Sequence, residues 1–435
     1  MKSSMKKIMK TALLAASSLA ISVSAHAFQL SDKEKEIVAQ IDKMFESQVD
    51  FLEKIVNINS GSAHVAGVRR VGAVFEEEFA SIGFKNEWVE MPKEMNRAGH
   101  LLSQYSAGEG PSLMLIGHLD TIFPKESPYQ TFSRDGDKAY GPGIKDMKDG
   151  DTIVLYALKA LREANALNRG TVKVFFTGDE ESVGSPRPLA RERMIAEAKT
   201  VDAAINFEGG SPGRAVVARR GSSGWQLEVT GRRAHSAGVF NDNVGAGAIF
   251  EASRILNGFY SYVRGEHGLT FNPGFIAGGT FADIQEDNSY RVFGKTNVVA
   301  QTVKVSGGLR FLTEDQKERA REAMRKIAAA NLPHTSAKVT FNDGYPPMEE
   351  SDANHALMAK FSKVSEDLGT EPLVAFDPVR RGAADIAFVA PYTTTLDGLG
   401  AYGGGSHSPN EWVDLPSMKF ATKRAAILVY RLLNE

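Results

Sequence analysis

The stretch Thr177-Gly-Asp-Glu-Glu-Ser-Val-Gly-Ser185 directly follows an apolar run, Thr171-Val-Lys-Val-Phe-Phe176. The β-branched and aromatic residues of that run predict a buried strand. Glu180 and Glu181 then stand side by side just past the end of the strand, and adjacent carboxylates repel each other unless a positive group lies beside them. A solvated loop would also tolerate such a pair, so its meaning depends on what other stretches place nearby.

A second apolar run, residues 111–116, leads into Gly117-His118-Leu119-Asp120. Side chains two residues apart in an extended chain point to the same side. Asp120 can therefore hold the second ring nitrogen of His118 and fix its tautomer, as carboxylates do for metal-bound histidines. An ordinary hydrogen-bonded histidine fits the same short pattern.

Further carboxylates occupy comparable positions. A glycine-rich turn at residues 140–150 contains Asp146 just before a predicted helix at 149–164, and a short apolar strand at 201–207 ends at Glu208. Asp146 could cap that helix or bridge two metal ions. Because the strands alternate with helical stretches, we predict an α/β fold with a mixed, mostly parallel sheet flanked by helices. Ligands collect at the carboxyl ends of such strands.

The pattern changes near Gly221, where the order of predicted elements becomes βαββαβ. Such an order describes a ferredoxin-like, open-faced layer of helices on a sheet. We therefore predict an inserted domain at residues 219–344 that interrupts a catalytic domain formed by residues 28–218 and 345–435. A chain of 435 residues is long enough for two domains.

The N-terminus has the pattern of a signal peptide. A lysine-rich segment and an alanine-rich apolar run precede Ala25-His26-Ala27, which fits the small-x-small cleavage rule. We expect residues 1–27 to be removed, the mature chain to start at about Phe28, and the protein to be periplasmic or secreted. A cytosolic protein that begins with a membrane anchor is the weaker alternative.

Composition narrows the classes of partner and of metal site. The formal net charge of -2 at pH 7 gives no indication of binding to nucleic acid or to an anionic membrane. The chain contains no cysteine, so a transition-metal site must be built from histidine and carboxylate side chains. A further glycine-rich stretch, Gly403–Glu411, contains His407.

Together and in this order, these motifs resemble the M20 family of co-catalytic zinc metallopeptidases, and most closely its bacterial glutamate carboxypeptidase branch. The resemblance implies two Zn²⁺ ions per subunit, with Co²⁺ or Mn²⁺ as alternatives. It implies a general base at Glu180, an orienting role for Asp120 and a cis peptide bond after Asp146. It assigns one ion to His118, Asp146 and Glu208, and the other to Asp146, Glu181 and His407.

The same resemblance implies roles for residues outside the metal site. His235 would reach the active site of a partner subunit in a homodimer formed through the inserted lid domain, and Asn297 and Arg310 would bind the α-carboxylate of the substrate. The sequence departs from the family pattern at Asp149, where a glycine is usual, and at Arg381-Gly-Ala-Ala-Asp385, where the family has Gly-Gly-Thr-Asp. The second departure places an arginine close to the expected specificity region. Arg381 is a candidate substrate-binding residue, with neighbouring Arg380 as the alternative.

We therefore predict a secreted dizinc exopeptidase that releases a C-terminal amino acid, glutamate, from a small peptide or an N-acyl amino acid. An N-acyl-amino-acid amidohydrolase or a dipeptidase is the alternative within the family. A non-catalytic binding protein on the same fold is the alternative from another class. We expect no nucleic-acid partner and, after signal cleavage, no membrane partner.

Overall fold

The structure is a computed structural model that describes residues 30–285 and 289–435. Its helices are α1 (Asp32–Val56), α2 (Val65–Ser81), α3 (Asp149–Glu163), α4 (Arg187–Ala198), α5 (Gly247–Tyr262), α6 (Glu314–Ala329), α7 (Asp352–Asp367), α8 (Ile386–Val389) and α9 (Leu415–Leu433). Its strands are β1 (Lys85–Val89), β2 (His100–Ser106), β3 (Ser112–His118), β4 (Ser133–Asp135), β5 (Lys138–Tyr140), β6 (Thr171–Thr177), β7 (Ala203–Asn206), β8 (Arg214–Ala215), β9 (Gly221–Gly231), β10 (Thr270–Gly279), β11 (Phe281–Ile284), β12 (Tyr290–Phe293), β13 (Thr302–Phe311), β14 (Thr335–Asp343), β15 (Val374–Ala375), β16 (Thr394–Leu396), β17 (Gly403–Gly404) and β18 (Trp412–Asp414).

The central sheet has the strand order β1-β2-β6-β3-β7-β16. Strands β6, β3, β7 and β16 run parallel to one another, whereas β1 and β2 are antiparallel to their neighbours. The predicted mixed, mostly parallel sheet is thus confirmed. The apolar run that precedes the glutamate pair forms β6, with strands on both sides of it.

Helices cover both faces of this sheet. In β3, Leu113 and Leu115 belong to the core formed with α1, α3 and α9, whereas Met114 and Ile116 belong to the core that includes residues of α4 and α8. Successive side chains of a strand point to opposite faces, so β3 must be apolar throughout to satisfy both layers. That requirement explains its uninterrupted run of apolar residues.

Helix α2 contains two glycines, Gly67 and Gly72. A Cβ atom added at Gly67 would lie 2.0 Å from the carbonyl oxygen of Asn59, and one added at Gly72 would lie 2.3 Å from the ring of Trp88. Both glycines therefore allow close packing against α2. Helices α4 and α7, and a small sheet of order β17-β18-β5-β4, were not predicted.

A second sheet, called the inserted sheet below, has the order β10-β13-β9-β14 and is antiparallel throughout. Helices α5 and α6 pack on one face of it around Trp225, Phe259 and Met324. The element order β9-α5-β10-β13-α6-β14 is the predicted βαββαβ arrangement. A hairpin, β11–β12, lies between β10 and β13 and was not predicted.

The predicted signal peptide, residues 1–27, lies outside the described residues. Within residues 30–285 and 289–435, no helix is both long enough and apolar enough to cross a bilayer.

Candidate metal centre

The candidate ligands come together at the carboxyl edge of the central sheet. His118 is the last residue of β3 and pairs with Thr177 at the end of β6, so the Glu180–Glu181 turn begins beside it. Glu208 follows β7, the strand on the other side of β3. Since parallel strands end at the same edge, the sheet itself brings these three loops together.

The predicted ligands form two groups that share Asp146. In the first group, Nε2 of His118 lies 3.3 Å from Oδ1 of Asp146 and 3.6 Å from Oε1 of Glu208. In the second, Nε2 of His407 lies 3.1 Å from Oδ2 of Asp146 and 3.3 Å from Oε2 of Glu181. One carboxylate oxygen of Asp146 therefore faces each group, which is the arrangement of a bridging ligand.

These separations fit ligation of metal ions. Nitrogen and oxygen ligands bound tetrahedrally at about 2.0–2.1 Å from a zinc ion lie roughly 3.3 Å from each other. In addition, Oε1 of Glu181 is buried without a hydrogen-bond partner among the described residues, and a buried polar atom of this kind requires one. The donor set is histidine and carboxylate, which suits a divalent transition metal.

The charges of the site also favour cations. Burial alone would lower the pKa of His118, but hydrogen bonds to Asp120, Asp146 and Glu208 raise the pKa well above the ordinary value of a histidine. Burial raises the pKa of Glu180, and the neighbouring carboxylates Glu208 and Glu181 raise it further. In the two ligand groups, three carboxylates accompany two histidines, and bound divalent ions would compensate the excess negative charge.

Asp120 holds the Glu180–Glu181 turn as well as lying next to His118. Oδ1 of Asp120 accepts a hydrogen bond from the main-chain N–H of Glu180 at 2.9 Å, and Oδ2 accepts from that of Glu181 at 3.1 Å. Nδ1 of His118 lies 3.0 Å from the main-chain carbonyl oxygen of Asp120 and 3.5 Å from its carboxylate. The main chain of Asp120 is thus the closer partner of the histidine, and its carboxylate is engaged mainly with the glutamate turn.

The turn that carries Asp146 is held by a residue to which sequence analysis gave no role. Glu411 is fully buried and accepts hydrogen bonds from the main-chain N–H groups of Gly143, Lys145 and Asp146, at 3.1, 2.8 and 3.0 Å. The Asp146–Met147 peptide bond is cis, as the resemblance implied. The signal available in the sequence was the position of Glu411 at the end of the glycine-rich unit that contains His407.

Asp149, the departure from the family pattern, is also fully buried. Its Oδ2 atom accepts a hydrogen bond from the main-chain N–H of Ala401 at 2.9 Å. The helix that follows Asp146 is therefore tied to the segment that leads to His407.

A cavity of about 370 Å³ adjoins both ligand groups and is lined by cationic side chains, among them Lys145, Arg219, Arg380 and Arg381. Nη2 of Arg381 donates to the carbonyl oxygen of Gly209 at 3.1 Å, and Nε of Arg219 pairs with Asp397. Nε of Arg381 and Nη2 of Arg219 are buried and have no hydrogen-bond partner among the described residues. Both arginines retain donors that an acidic ligand can satisfy.

The three predicted site residues within residues 219–344 do not line this cavity in one chain. His235 and Asn297 are exposed and neighbour each other, since the main-chain N–H of Ser236 donates to the carbonyl oxygen of Asn297 at 2.9 Å. Arg310 is an exposed residue of β13. None of the three lines the cavity beside the ligand groups, and their roles stay predictions.

The family model described as peptidase family M20/M25/M40 matches residues 114–431. The chain belongs to this family. The match spans the ligand positions from His118 to His407 and includes the inserted sheet. The chain is thus a metallopeptidase of the M20 family, a group of hydrolases, and its two candidate ligand groups are those of a metal-binding enzyme.

Among curated proteins, carboxypeptidase G2 of Pseudomonas sp. (strain RS-16) is 26% identical over 442 aligned residues, which cover 98% of this chain and 96% of that protein. A probable succinyl-diaminopimelate desuccinylase of Staphylococcus aureus (strain MRSA252) is 28% identical over 51% of this chain and 54% of its own length. M20 relatives thus include enzymes named for different substrates.

Solved structures show the same fold. Aminopeptidase PepT from Bacillus cereus superposes with a TM-score of 0.69 at 19% identity and covers 89% of this chain and 98% of its own. An M20 family metallo-carboxypeptidase from Sulfolobus solfataricus gives a TM-score of 0.63 at 17% identity, with 89% and 99% covered. A dinuclear metal-binding M20 peptidase of Bacillus subtilis also gives 0.63, at 14% identity and with 90% and 99% covered.

Proposed function

We propose that this M20 metallopeptidase is an exopeptidase that hydrolyses the amide bond before a C-terminal glutamate. Two Zn²⁺ ions would be held by His118, Asp146 and Glu208 and by Asp146, Glu181 and His407, with Co²⁺ or Mn²⁺ as alternatives. The observation that carries this proposal is the pair of ligand groups that meet at the two oxygens of Asp146. The similarity to carboxypeptidase G2 over nearly the whole chain supports it.

Glu180 would move the proton in this reaction. When bound, the two ions supply Lewis acidity at the scissile carbonyl and acidify the attacking water. The carboxylate of Glu180, next to a ligand but outside both ligand groups, takes the proton from that water and delivers it to the leaving nitrogen.

The cationic wall of the cavity supports an acidic leaving amino acid. Arg381 and Arg219 both line this cavity, and each guanidinium group has one buried nitrogen without a hydrogen-bond partner among the described residues. The planar guanidinium group pairs with a carboxylate through two parallel hydrogen bonds. Arg381 reaches Gly209 whereas Arg380 is exposed, so Arg381 is the residue we assign to the substrate.

An N-acyl-amino-acid amidohydrolase is the second candidate, and the similarity to a probable succinyl-diaminopimelate desuccinylase favours it. Such an enzyme cleaves the same type of bond. In the exopeptidase the arginines would recognise the amino acid that is released, whereas in the amidohydrolase they would recognise the acyl group on the other side of the bond.

We further propose that residues 219–344 form a lid and dimerisation domain and that the enzyme works as a homodimer. Large apolar side chains of this region are exposed, including Phe240, Ile249, Phe250 and Ile276, and apolar patches of this kind occur at protein interfaces. We also propose that residues 1–27 direct export to the periplasm or the medium, on the evidence of their signal-peptide pattern.

A substrate comparison tests the proposal. The zinc-loaded enzyme is assayed on one N-acyl group joined to glutamate, glutamine or lysine, and separately on several acyl groups joined to glutamate. We expect kcat/KM for the glutamate compound to exceed that for the glutamine compound by about 100-fold, since a buried unpaired donor costs a few kcal/mol.

Arg381→Ala should abolish most of that preference while it leaves the glutamine compound unaffected, because the neutral amide does not need the arginine. Arg380→Ala is the matched control, because its exposed guanidinium group lies on the same cavity wall. Equal turnover of the glutamate, glutamine and lysine compounds would refute the acidic specificity, and selectivity for the acyl group alone would favour the amidohydrolase.

A further inference from the structure

Tyr345 connects the inserted sheet to the loop of the proposed general base. It lies two residues after Asp343, the last residue of β14, on the segment that returns from the inserted sheet to the central sheet. Its hydroxyl group donates a hydrogen bond to the main-chain carbonyl oxygen of Glu180 at 2.6 Å. Its ring packs against Phe388, with a centroid separation of 5.0 Å.

The main chain of Tyr345 is bound to the inserted sheet. The N–H of Ser222, in β9, donates to the carbonyl oxygen of Tyr345 at 2.8 Å, and the N–H of Tyr345 donates to Oγ of Ser222 at 3.2 Å. A few residues away, Arg219 and Met348 exchange main-chain hydrogen bonds of 2.9 and 3.1 Å. The two chain segments that connect the inserted sheet to the central sheet, near residues 219–222 and 345–348, are therefore hydrogen-bonded to each other. Tyr345 lies in one of these segments and also binds the loop that carries Glu180.

Glu180 is consequently held on both sides of its main chain. On one side its N–H donates to Oδ1 of Asp120 at 2.9 Å, and on the other its carbonyl oxygen accepts from Tyr345 at 2.6 Å. Asp120 follows β3 of the central sheet, whereas Tyr345 is attached to the inserted sheet. The orientation of Glu180 thus depends on a contact from each sheet.

We infer that Tyr345 is a positioning residue that couples the inserted sheet to Glu180. This inference rests on the proposed role of Glu180 as the general base. A catalytic group that is misplaced by about 1 Å can lose roughly 100-fold in rate, so a restraint on its main chain affects catalysis without contact to substrate. A movement of the inserted sheet relative to the central sheet would move Glu180 through this bond.

The test compares Tyr345→Phe with Tyr156→Phe. The two changes remove equivalent bonds, since the hydroxyl of Tyr156 donates to the carbonyl oxygen of Ser47 at 2.7 Å. We expect Tyr345→Phe to lower kcat about tenfold, the factor that one ordinary hydrogen bond provides, with KM changed less than about twofold. Tyr156→Phe should leave kcat unchanged. Both variants should keep the metal content and lose a similar, small amount in Tm.

A Tyr345→Phe enzyme whose kcat equals that of the Tyr156→Phe enzyme would overturn the inference. So would a loss of kcat that is accompanied by loss of metal, because the effect would then be structural.

A second measurement separates this inference from the proposed function. In a Glu180→Asp background, where the carboxylate is already displaced, Tyr345→Phe should reduce kcat by much less than it does in the wild type. Equal factors in the two backgrounds would contradict a role through Glu180. If Glu180→Gln retains wild-type turnover, the proposed base itself is wrong, whereas an inactive Glu180→Gln with a fully active Tyr345→Phe refutes only the positioning role.

Discussion

Oδ2 of Asp146 lies 3.1 Å from Nε2 of His407, which enters the cleft from a loop near the end of the chain. The other oxygen of the same carboxylate faces His118 at 3.3 Å. His118 is buried, with 1% of its side chain exposed, whereas the side chain of His407 is 56% exposed. The two candidate ligand groups therefore share Asp146 but differ in access to solvent, and this difference has measurable consequences.

Replacing Glu180 by glutamine should abolish turnover and leave the metal in place. The amide keeps the size of the side chain but cannot accept a proton, and loss of a general base costs about 10²–10⁴-fold in rate. The measurement is kcat together with elemental analysis of the purified protein. Activity above a few per cent of wild type with full metal content would remove Glu180 from the mechanism.

Each histidine ligand should control one metal ion. His118→Ala and His407→Ala should each retain close to one equivalent of zinc, whereas Asp146→Ala, which removes the shared ligand, should retain almost none. His355→Ala is a suitable control, because His355 is a partly exposed histidine that pairs with Glu350 outside the site. Two full equivalents in His118→Ala would show that the ligand assignment is incorrect.

Metal removal should occur in two steps. The group that contains the exposed His407 should release its ion to a chelator before the group that contains the buried His118. Stopped-flow measurement of released zinc should show two phases, and His407→Ala should lack the fast one. Persistence of the fast phase in that variant would assign it to a different site.

Subunit mixing tests the proposed role of His235. In one chain this residue is exposed and does not line the cavity of the metal groups. If it acts in the partner subunit, a mixture of Glu180→Ala and His235→Ala enzymes, each inactive alone, should recover part of the wild-type kcat. Absence of recovery after mass spectrometry has demonstrated subunit exchange would rule out action across a dimer.

A buried histidine should make stability depend on pH. His100 donates from Nε2 to the carbonyl oxygen of Ala190 at 2.8 Å and accepts at Nδ1 from the N–H of Gly178 at 3.2 Å, so the ring is neutral. Burial lowers its pKa below the ordinary value. Below about pH 6.5 the unfolded chain binds a proton there that the folded protein does not, and the free energy of unfolding must fall as the pH falls.

Urea unfolding between pH 7.5 and 5 would measure this effect. We expect this group to contribute a slope of up to about 1.4 kcal/mol per pH unit below pH 6.5. His100→Gln, whose amide can replace both hydrogen bonds, should be less stable at pH 7.5 but show a shallower slope. Identical slopes for the two proteins would show that His100 does not cause the dependence.

Local pattern was sufficient to predict the main elements around the site. The apolar runs before His118, before Glu180 and before Glu208 became β3, β6 and β7, because strands covered on both faces must be apolar throughout. The βαββαβ order of the inserted sheet could be predicted from the change in periodicity. The hairpin β11–β12 and helices α4 and α7 were missed.

Sequence alone also determined the chemistry that the site can perform. Without cysteine, only histidines and carboxylates can bind a transition metal. The positions of these residues after predicted strands, with the family resemblance, were enough to select five candidate ligands and Glu180.

What the tertiary structure decided is how these residues are held. Asp120 accepts from the glutamate turn, Glu411 supports the turn of Asp146, Asp149 reaches Ala401, and Tyr345 binds Glu180 from the inserted sheet. The physical reason is that these hydrogen bonds join segments far apart in the chain, and their geometry is set by the packing of whole layers. Periodicity and spacing describe only neighbours along the chain.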